Sequence, residues 1–149
     1  MSLETDYAMT RESLKGIQDE STYGGITSFM RRRYSRDLSG VDVAVLGVPF
    51  DLATTNRSGT RLGPRGIRTA SASLAWENQV QGWDFSPLEE LAIVDYGDCP
   101  FDAGTPEKVP EQIYQQARDI LATDTALLSM GGDHFVSYPL LRAHAEKYG

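Results

Sequence analysis

The sequence predicts an α/β fold built around a mainly parallel β-sheet. Two observations predict it: short, nearly continuous apolar runs recur along the chain, and a helical pattern follows each run. Strands that are buried on both faces show such runs. A repeated order of strand, loop and helix favours parallel strands joined by right-handed crossovers. In sheets of this kind, ligands bind just outside the carboxyl ends of the strands.

Three apolar runs mark the predicted strands, and each strand is expected to be buried on both faces. The runs begin at residues 41, 91 and 126. Their apolar members are Val41, Val43, Ala44, Val45, Leu46 and Val48 in the first run, Leu91, Ala92, Ile93 and Val94 in the second, and Ala126, Leu127, Leu128 and Met130 in the third.

A proline stands in the first turn of each predicted helix, where a missing backbone N–H is tolerated. Pro64 opens a helix that runs to about residue 77, and Pro110 opens a second helix. Pro139 lies in the first turn of a third helix that runs to Tyr148. The expected apolar faces consist of Ile113, Ala117, Ile120 and Leu121 in the second helix and of Leu140, Leu141 and Ala145 in the third.

Length and composition indicate one domain with a core of its own. The 149 residues are 40% hydrophobic and 23% charged, as is typical of globular proteins. Residues 1–40 are polar and mixed, and we interpret them as an N-terminal extension of an α/β domain that covers 41–149. The cluster Arg31-Arg32-Arg33 in this extension is expected in a solvated loop or a subunit contact.

Charge and cysteine content restrict the class of partner and the compartment. The formal net charge of −7 disfavours nucleic acid and anionic membrane surfaces and weakly favours a cationic small molecule. No stretch approaches the roughly 20 apolar residues of a membrane span. The single cysteine, Cys99, cannot form an internal disulfide, so we expect a cytoplasmic protein with Cys99 as a small buried hydrophobe.

Carboxylates follow all three predicted strands, at the edge where parallel strands place their ligands. Because like charges in one crevice repel and are hard to desolvate, a metal ion or a cationic substrate would relieve them. These residues are Asp51 after the first strand, Asp95 and Asp98 after the second, and Asp133, followed by His134, after the third.

The third exit, Gly131-Gly132-Asp133-His134, carries the most specific chemistry. Its two glycines allow a turn and a close backbone approach to a ligand. The neutral imidazole of His134 is a good ligand for a divalent transition metal, and Asp133 could orient neighbouring groups. Taken alone, the pair fits more readily an Asp133 helix N-cap followed by a hydrogen-bonded loop residue.

The segment 51–68 after the first strand is polar and long for a connection from strand to helix. Long ordered loops at this edge are often functional, which makes Asn56, Arg57 and Ser58 candidates for substrate contact. A surface loop that packs on a neighbouring subunit explains the segment equally well.

Together these motifs resemble the arginase/agmatinase (ureohydrolase) superfamily, and the agmatinase branch more than arginase proper. The resemblance runs from about residue 25 to residue 149. It rests on the glycine-rich exit that ends at His134 and on segments 47–51, 57–61, 63–64, 67–68, 74–77, 95–98 and 139–143.

The resemblance implies a three-layer arginase-like fold and an enzyme that uses two Mn²⁺ ions. It implies hydrolysis of agmatine to putrescine and urea, a step of polyamine biosynthesis, by homo-oligomers that are trimers or hexamers. It makes His134 the first metal ligand of the family, on the more exposed ion. It makes Asp133 the neighbouring aspartate, which is not itself a ligand.

The family's other ligands lie in two later motifs, Asp-Ala-His-x-Asp and Asp-x-Asp, and neither occurs in this sequence. We therefore expect an N-terminal portion of the ureohydrolase domain that is inactive and poorly metallated by itself. An alternative is a guanidinobutyrase-type hydrolase of another linear guanidino compound. A non-catalytic α/β module for binding or assembly is a second alternative. A nucleotide-binding domain is disfavoured because no Gly-x-Gly-x-x-Gly loop follows any strand.

Overall fold

A four-stranded parallel sheet forms the centre of the computed structural model, which describes residues 6–17, 20–76, 82–102 and 104–149. The strands are β1 (Arg33–Tyr34), β2 (Val43–Val48), β3 (Ile93–Asp98) and β4 (Ala126–Gly131). Their order across the sheet is β1-β3-β2-β4, and every neighbouring pair is parallel. The predicted α/β fold with a parallel sheet is thus confirmed.

Five α-helices accompany the sheet within the described residues. They are α1 (Tyr7–Thr10), α2 (Gly63–Ser71), α3 (Pro87–Glu90), α4 (Val109–Leu121) and α5 (Ser137–Tyr148). Short 3-10 turns cover Phe29–Arg31, Thr60–Leu62, Ala72–Leu74, Pro106–Lys108 and His134–Val136. Within the same part of the chain, no helix has both the length and the apolar character that crossing a membrane requires.

The helices predicted at Pro110 and Pro139 are present, whereas the helix predicted at Pro64 is shorter than expected. It ends at Ser71 and passes into a 3-10 turn, and its predicted end at residue 77 lies outside the described residues. The Ser71 hydroxyl donates to the Arg68 carbonyl and accepts from the backbone N–H of Met30. Such side-chain bonds to the backbone compete with helix propagation.

Apolar side chains fill the space on both faces of the sheet, which gives three layers. On one face, α4 and α5 pack on β2 and β3 through a core that includes the predicted α4 stripe. On the other face, Leu88 of α3 packs against Val45, Ile93 and Met130, beside Phe29 and Met30. The four stripe residues, Ile113, Ala117, Ile120 and Leu121, are at most 2% exposed.

Burial is wrongly predicted at three places, two of them in the strand runs. Leu91 is 37% exposed and is the C-cap of α3, before β3 begins. Ala126 and Leu128 are exposed, because β4 has a strand neighbour on one side only within the described residues.

On α5, Leu140 is buried as predicted, but Leu141 and Ala145 are exposed. Because α5 packs on α4 as well as on the sheet, the face it buries is that of Leu140 and Ala143, three residues apart.

The segment before residue 41 contributes a strand to the sheet and buries polar side chains, which its polar composition does not predict. The sequence predicts three strands, and the fourth, β1, has only two residues, too few for a recognisable pattern. Arg31 and Arg32 are buried, not solvated: Arg31 pairs with Glu20 at 3.0 Å, and Arg32 donates to the Gly16 carbonyl. Burial, helped by the nearby charge of Arg11, lowers the pKa of Arg32 to about 10.

Candidate metal site at the sheet rim

The carboxyl ends of β2 and β4 lie side by side, because Val48 pairs with Gly131 at the last position of the register. The turn that leaves β4 then contacts the segment that leaves β2, since the backbone N–H of Asp133 donates to the Phe50 carbonyl at 2.8 Å. We call this C-terminal edge of the sheet the rim. It brings the first and third predicted exits together.

Gly132 makes this contact possible, as the sequence predicts for a glycine at the turn. Its φ is +32°, and a β-carbon there would lie 2.5 Å from the Val48 carbonyl oxygen and 2.6 Å from that of Phe50. A side chain would therefore collide with backbone. The close approach that the glycine allows is to the exit of β2.

Asp133 is the N-cap of the 3-10 turn His134–Val136, as one interpretation of the sequence predicts. Its Oδ1 accepts from the Phe135 N–H at 3.0 Å, and its Oδ2 accepts from the Ala53 N–H at 2.9 Å. The carboxylate thereby fixes the His134 turn and joins it to the segment after β2. Its side chain is buried, with 8% of the residue exposed.

His134 is the first residue of that turn, and its side chain is exposed at the rim. Packing also fixes the turn, because the ring centroids of Phe135 and Phe50 lie 5.7 Å apart. An exposed imidazole on a fixed turn can offer a nitrogen lone pair to a metal ion. The strand that delivers it, β4, runs parallel to β2.

The segment after β2 forms a loop with a polar base. The Asp51 carboxylate, 2% exposed, accepts from the N–H groups of Gly59 and Arg61 and from the Arg61 guanidinium, at distances between 2.6 and 3.3 Å. The bond from Arg61, opposed by burial and helped by the backbone bonds, lowers the pKa of Asp51 to about 2. Asn56, Arg57 and Ser58 are all exposed on this loop.

The exit of β3 has a different arrangement. Arg68 of α2 donates to both oxygens of Asp95, at 2.7 and 2.9 Å, and to Asp98 at 2.7 Å. Burial lowers the pKa of Arg68, but these bonds outweigh it and the net pKa is raised. Asp95 and Asp98 thus have a cation from the same chain, and the expectation that they await a metal ion or a cationic substrate is wrong.

Arg61 and Arg68 are the two residues that the interpretation of the rim missed. Both lie on the segment that follows β2, at the same edge as the carboxylates, and both have the opposite charge. Arginines near the predicted carboxylates are visible in the sequence. They would have predicted ion pairs as an alternative to a bound cation.

The described residues hold one clear candidate metal ligand at the rim. Among them, no group of three or more His, Cys, Asp or Glu side chains is placed to hold a metal ion. The oxygens of Asp51 and Asp133 accept from backbone N–H groups and, for Asp51, from the Arg61 guanidinium, which leaves the His134 imidazole. Its exposure and its imidazole nitrogens suit one position in the coordination sphere of a divalent transition metal.

The chain belongs to the Arginase family, whose sequence profile matches residues 41–149. It is 57% identical to an agmatinase from Chromobacterium violaceum over 144 residues, which is 97% of the chain and 44% of that protein. The chain therefore spans less than half the length of this relative.

Two solved structures show the same fold. A hypothetical agmatinase from Burkholderia thailandensis matches with a TM-score of 0.92 and 54% identity, over 97% of this chain and 45% of that one. Proclavaminate amidino hydrolase from Streptomyces clavuligerus matches with a TM-score of 0.75 and 31% identity, over 87% of this chain and 42% of that one. The arginase-like α/β fold predicted from the motifs is confirmed.

Proposed function

We propose that this chain contributes the N-terminal portion of a manganese-dependent amidinohydrolase that converts agmatine and water to putrescine and urea. The observation that carries the proposal is the 57% identity with the Chromobacterium violaceum agmatinase over 97% of the chain. In this proposal residues 41–149 belong to the catalytic domain, and 1–40 are an extension that adds strand β1 to its sheet. The enzyme would act in the cytoplasm as a trimer or hexamer.

His134 would hold one of two Mn²⁺ ions through its imidazole. The turn that presents it is fixed by Asp133 and by the packing of Phe135 on Phe50. A bound manganese centre supplies a nucleophile from water near neutral pH. Because one imidazole is too weak a site to retain a divalent ion, the chain by itself would be poorly metallated and inactive. The remaining ligands would come from the part of the enzyme that these 149 residues do not include.

The 52–60 loop would contact the substrate through Asn56, Arg57 and Ser58. These residues are exposed, and the loop begins next to the His134 turn, where Ala53 bonds to Asp133. A guanidino substrate is cationic, which agrees with the acidic character of the chain. The role of Asp133 would be to hold the turn and the loop in one arrangement.

One observation favours a second candidate substrate, 4-guanidinobutyrate. Arg57 lies exposed on the loop, and no ion pair among the described residues includes it. An arginine in that position would attract the carboxylate of guanidinobutyrate and repel the terminal ammonium of agmatine.

The test is urea release by the full-length natural protein, loaded with Mn²⁺, from agmatine and from 4-guanidinobutyrate in parallel. We expect agmatine to have the higher kcat/KM. A preference for guanidinobutyrate would make that compound the substrate and leave the proposed reaction, hydrolysis with release of urea, unchanged. No urea from either compound would overturn the proposal and favour a non-catalytic binding or assembly module.

A further inference from the structure

Asp51 is a buried carboxylate whose hydrogen-bond partners lie on the loop that follows it. It lies three residues after β2, is 2% exposed, and accepts from Gly59, from the Arg61 backbone and from the Arg61 guanidinium. Burying a charge is costly unless hydrogen bonds compensate it, and here they do. All of its side-chain partners lie eight to ten residues later in the chain. The carboxylate therefore closes the 52–60 loop at its base.

The loop that Asp51 closes has little else to hold it. No residue of 52–60 belongs to either apolar core, and all but Thr54 are exposed. Gly59 has a φ of +137°, which only glycine adopts readily, and its N–H donates to Asp51 at 2.6 Å. The Ala53 N–H also donates to Asp133, and the Thr54 hydroxyl donates to the Asp51 backbone carbonyl. Two buried carboxylates thus hold one exposed loop, one from each side.

We propose that Asp51 is a positioning residue that sets the conformation of the 52–60 loop and, through it, the affinity for the guanidino substrate. This inference rests on the proposed function, because the substrate must meet Asn56, Arg57 or Ser58. Ordering a loop costs roughly 1–2 kcal/mol of conformational entropy per residue. A loop that the protein orders before binding spares the substrate this cost, which appears as a lower KM.

A structural role alone would predict something different. If Asp51 only stabilised the fold, its removal would lower the unfolding free energy and leave the KM of the folded enzyme unchanged. Arg61 helps to separate the two roles, because its side chain is 51% exposed and lies outside both cores. Removing Arg61 loosens the loop while the backbone N–H groups of Gly59 and residue 61 still bond the Asp51 carboxylate.

The experiment uses the full-length protein loaded with Mn²⁺, with the variants Asp51→Asn and Arg61→Ala. The control is Glu111→Gln, which also removes a carboxylate from an arginine pair, at 2.8 Å from Arg142 and outside the rim. We expect KM for agmatine to rise about tenfold in both loop variants and kcat to change less than about threefold. Limited trypsin digestion should cut after Arg57 about tenfold faster in both variants. The control should match the wild type in both measurements.

The outcomes are distinguishable. If the wild type is active and both loop variants keep its KM, or if kcat alone falls, the inference is overturned. An unchanged rate of cleavage after Arg57 in both variants also overturns it, whatever the activity. If the wild type releases no urea, the proposed function fails first, and the proteolysis still shows whether Asp51 holds the loop.

Discussion

Two pairs of carboxylates lie at the same rim and have opposite surroundings. At the exit of β3, Asp95 and Asp98 share Arg68, and Asp95, which is fully buried, also accepts from the Phe29 N–H. At the exits of β2 and β4, Asp51 and Asp133 are also buried, but they hold an exposed loop and the turn of His134. The first pair connects α2 and the Phe29 backbone to β3, and the second pair supports an exposed loop and the exposed His134.

The acid-rich edge of the sheet thus has two parts that differ in what their carboxylates hold in place. The sequence places the same residue type at each exit, yet the partners decide what each carboxylate does. At β3 the partner is a helix arginine, and the cluster connects α2 to the sheet. At β2 and β4 the partners are backbone N–H groups of the loop and the turn together with the Arg61 guanidinium, and the exposed imidazole of His134 lies beside them. This difference supports the proposal that the chemistry lies on the β2–β4 side.

The largest effect is expected on the β3 side. Arg68→Ala leaves the buried Asp95 charge without its partner, so the unfolding free energy of the full-length protein should fall by about 3–5 kcal/mol in denaturant titration. Asp98→Asn is the matched control, because Asp98 is 46% exposed at its side chain and should cost far less. Equal losses of unfolding free energy in the two variants would show that the burial of Asp95 does not determine how much the Arg68 ion pairs stabilise the fold.

Asp133→Asn tests the β2–β4 side. The change weakens the hold on the His134 turn, so kcat/KM for agmatine should fall about 10–100-fold, while stability falls by only about 1 kcal/mol. Steady-state urea release and thermal unfolding of the same sample measure both. A large loss of stability with unchanged kcat/KM would show that Asp133, like Asp95, stabilises the fold without affecting catalysis. The two pairs of carboxylates would then not differ in role.

The ionisation of Asp51 gives a pH test of the same side. The Arg61 guanidinium holds the pKa of this carboxyl at about 2, below its ordinary 3.8. Because the pKa is lower in the folded state, the carboxylate's contribution to stability is complete above the unfolded value and is lost as pH falls through the folded value. The stability difference between wild type and Asp51→Asn should be constant from pH 7 to about 4 and shrink below that.

Denaturant unfolding at a series of pH values measures that difference. Arg61→Ala should show the same dependence with a smaller amplitude, because the backbone bonds to Asp51 remain. A difference that grows as the pH falls below about 4 would contradict the assignment of the ion pair.

The smallest effect is expected at Cys99, just after β3. The thiol is 3% exposed, and burial raises its pKa to about 11. Iodoacetamide at neutral pH should therefore leave the native protein almost unlabelled, since the thiolate is the reactive form. The same protein in denaturant is the control and should label fully. Rapid labelling of the native protein would show that the β3 side opens as readily as the 52–60 loop.

The sequence predicts the strands, α4 and the glycine turn well, because each depends on local patterns. The stripe Ile113, Ala117, Ile120 and Leu121 is buried as its spacing indicates. Cys99 is buried, as expected of a small hydrophobe. Gly132 has the positive φ and the close contact that its position suggests.

Long-range partners could not be predicted in the same way. Nothing in the local pattern of Arg31 and Arg32 distinguishes buried arginines from a solvated loop, since their burial depends on Glu20 and on the Gly16 carbonyl. The pairing of Arg68 with Asp95, 27 residues away, likewise follows from how α2 packs on the sheet. Leu141 and Ala145 fit a helical stripe, but the packing of α5 on α4 selects another face.

His134 is the residue that we propose offers its imidazole to manganese at the β2–β4 side of the rim. Calorimetric titration of the metal-free full-length protein with Mn²⁺ tests this proposal most directly, with the variants His134→Ala and His144→Ala. His144, the other histidine of the chain, lies on α5 and is the matched control. We expect two tight sites in the wild type and in His144→Ala, and the loss of one in His134→Ala. Unchanged stoichiometry and affinity in His134→Ala would contradict the proposal.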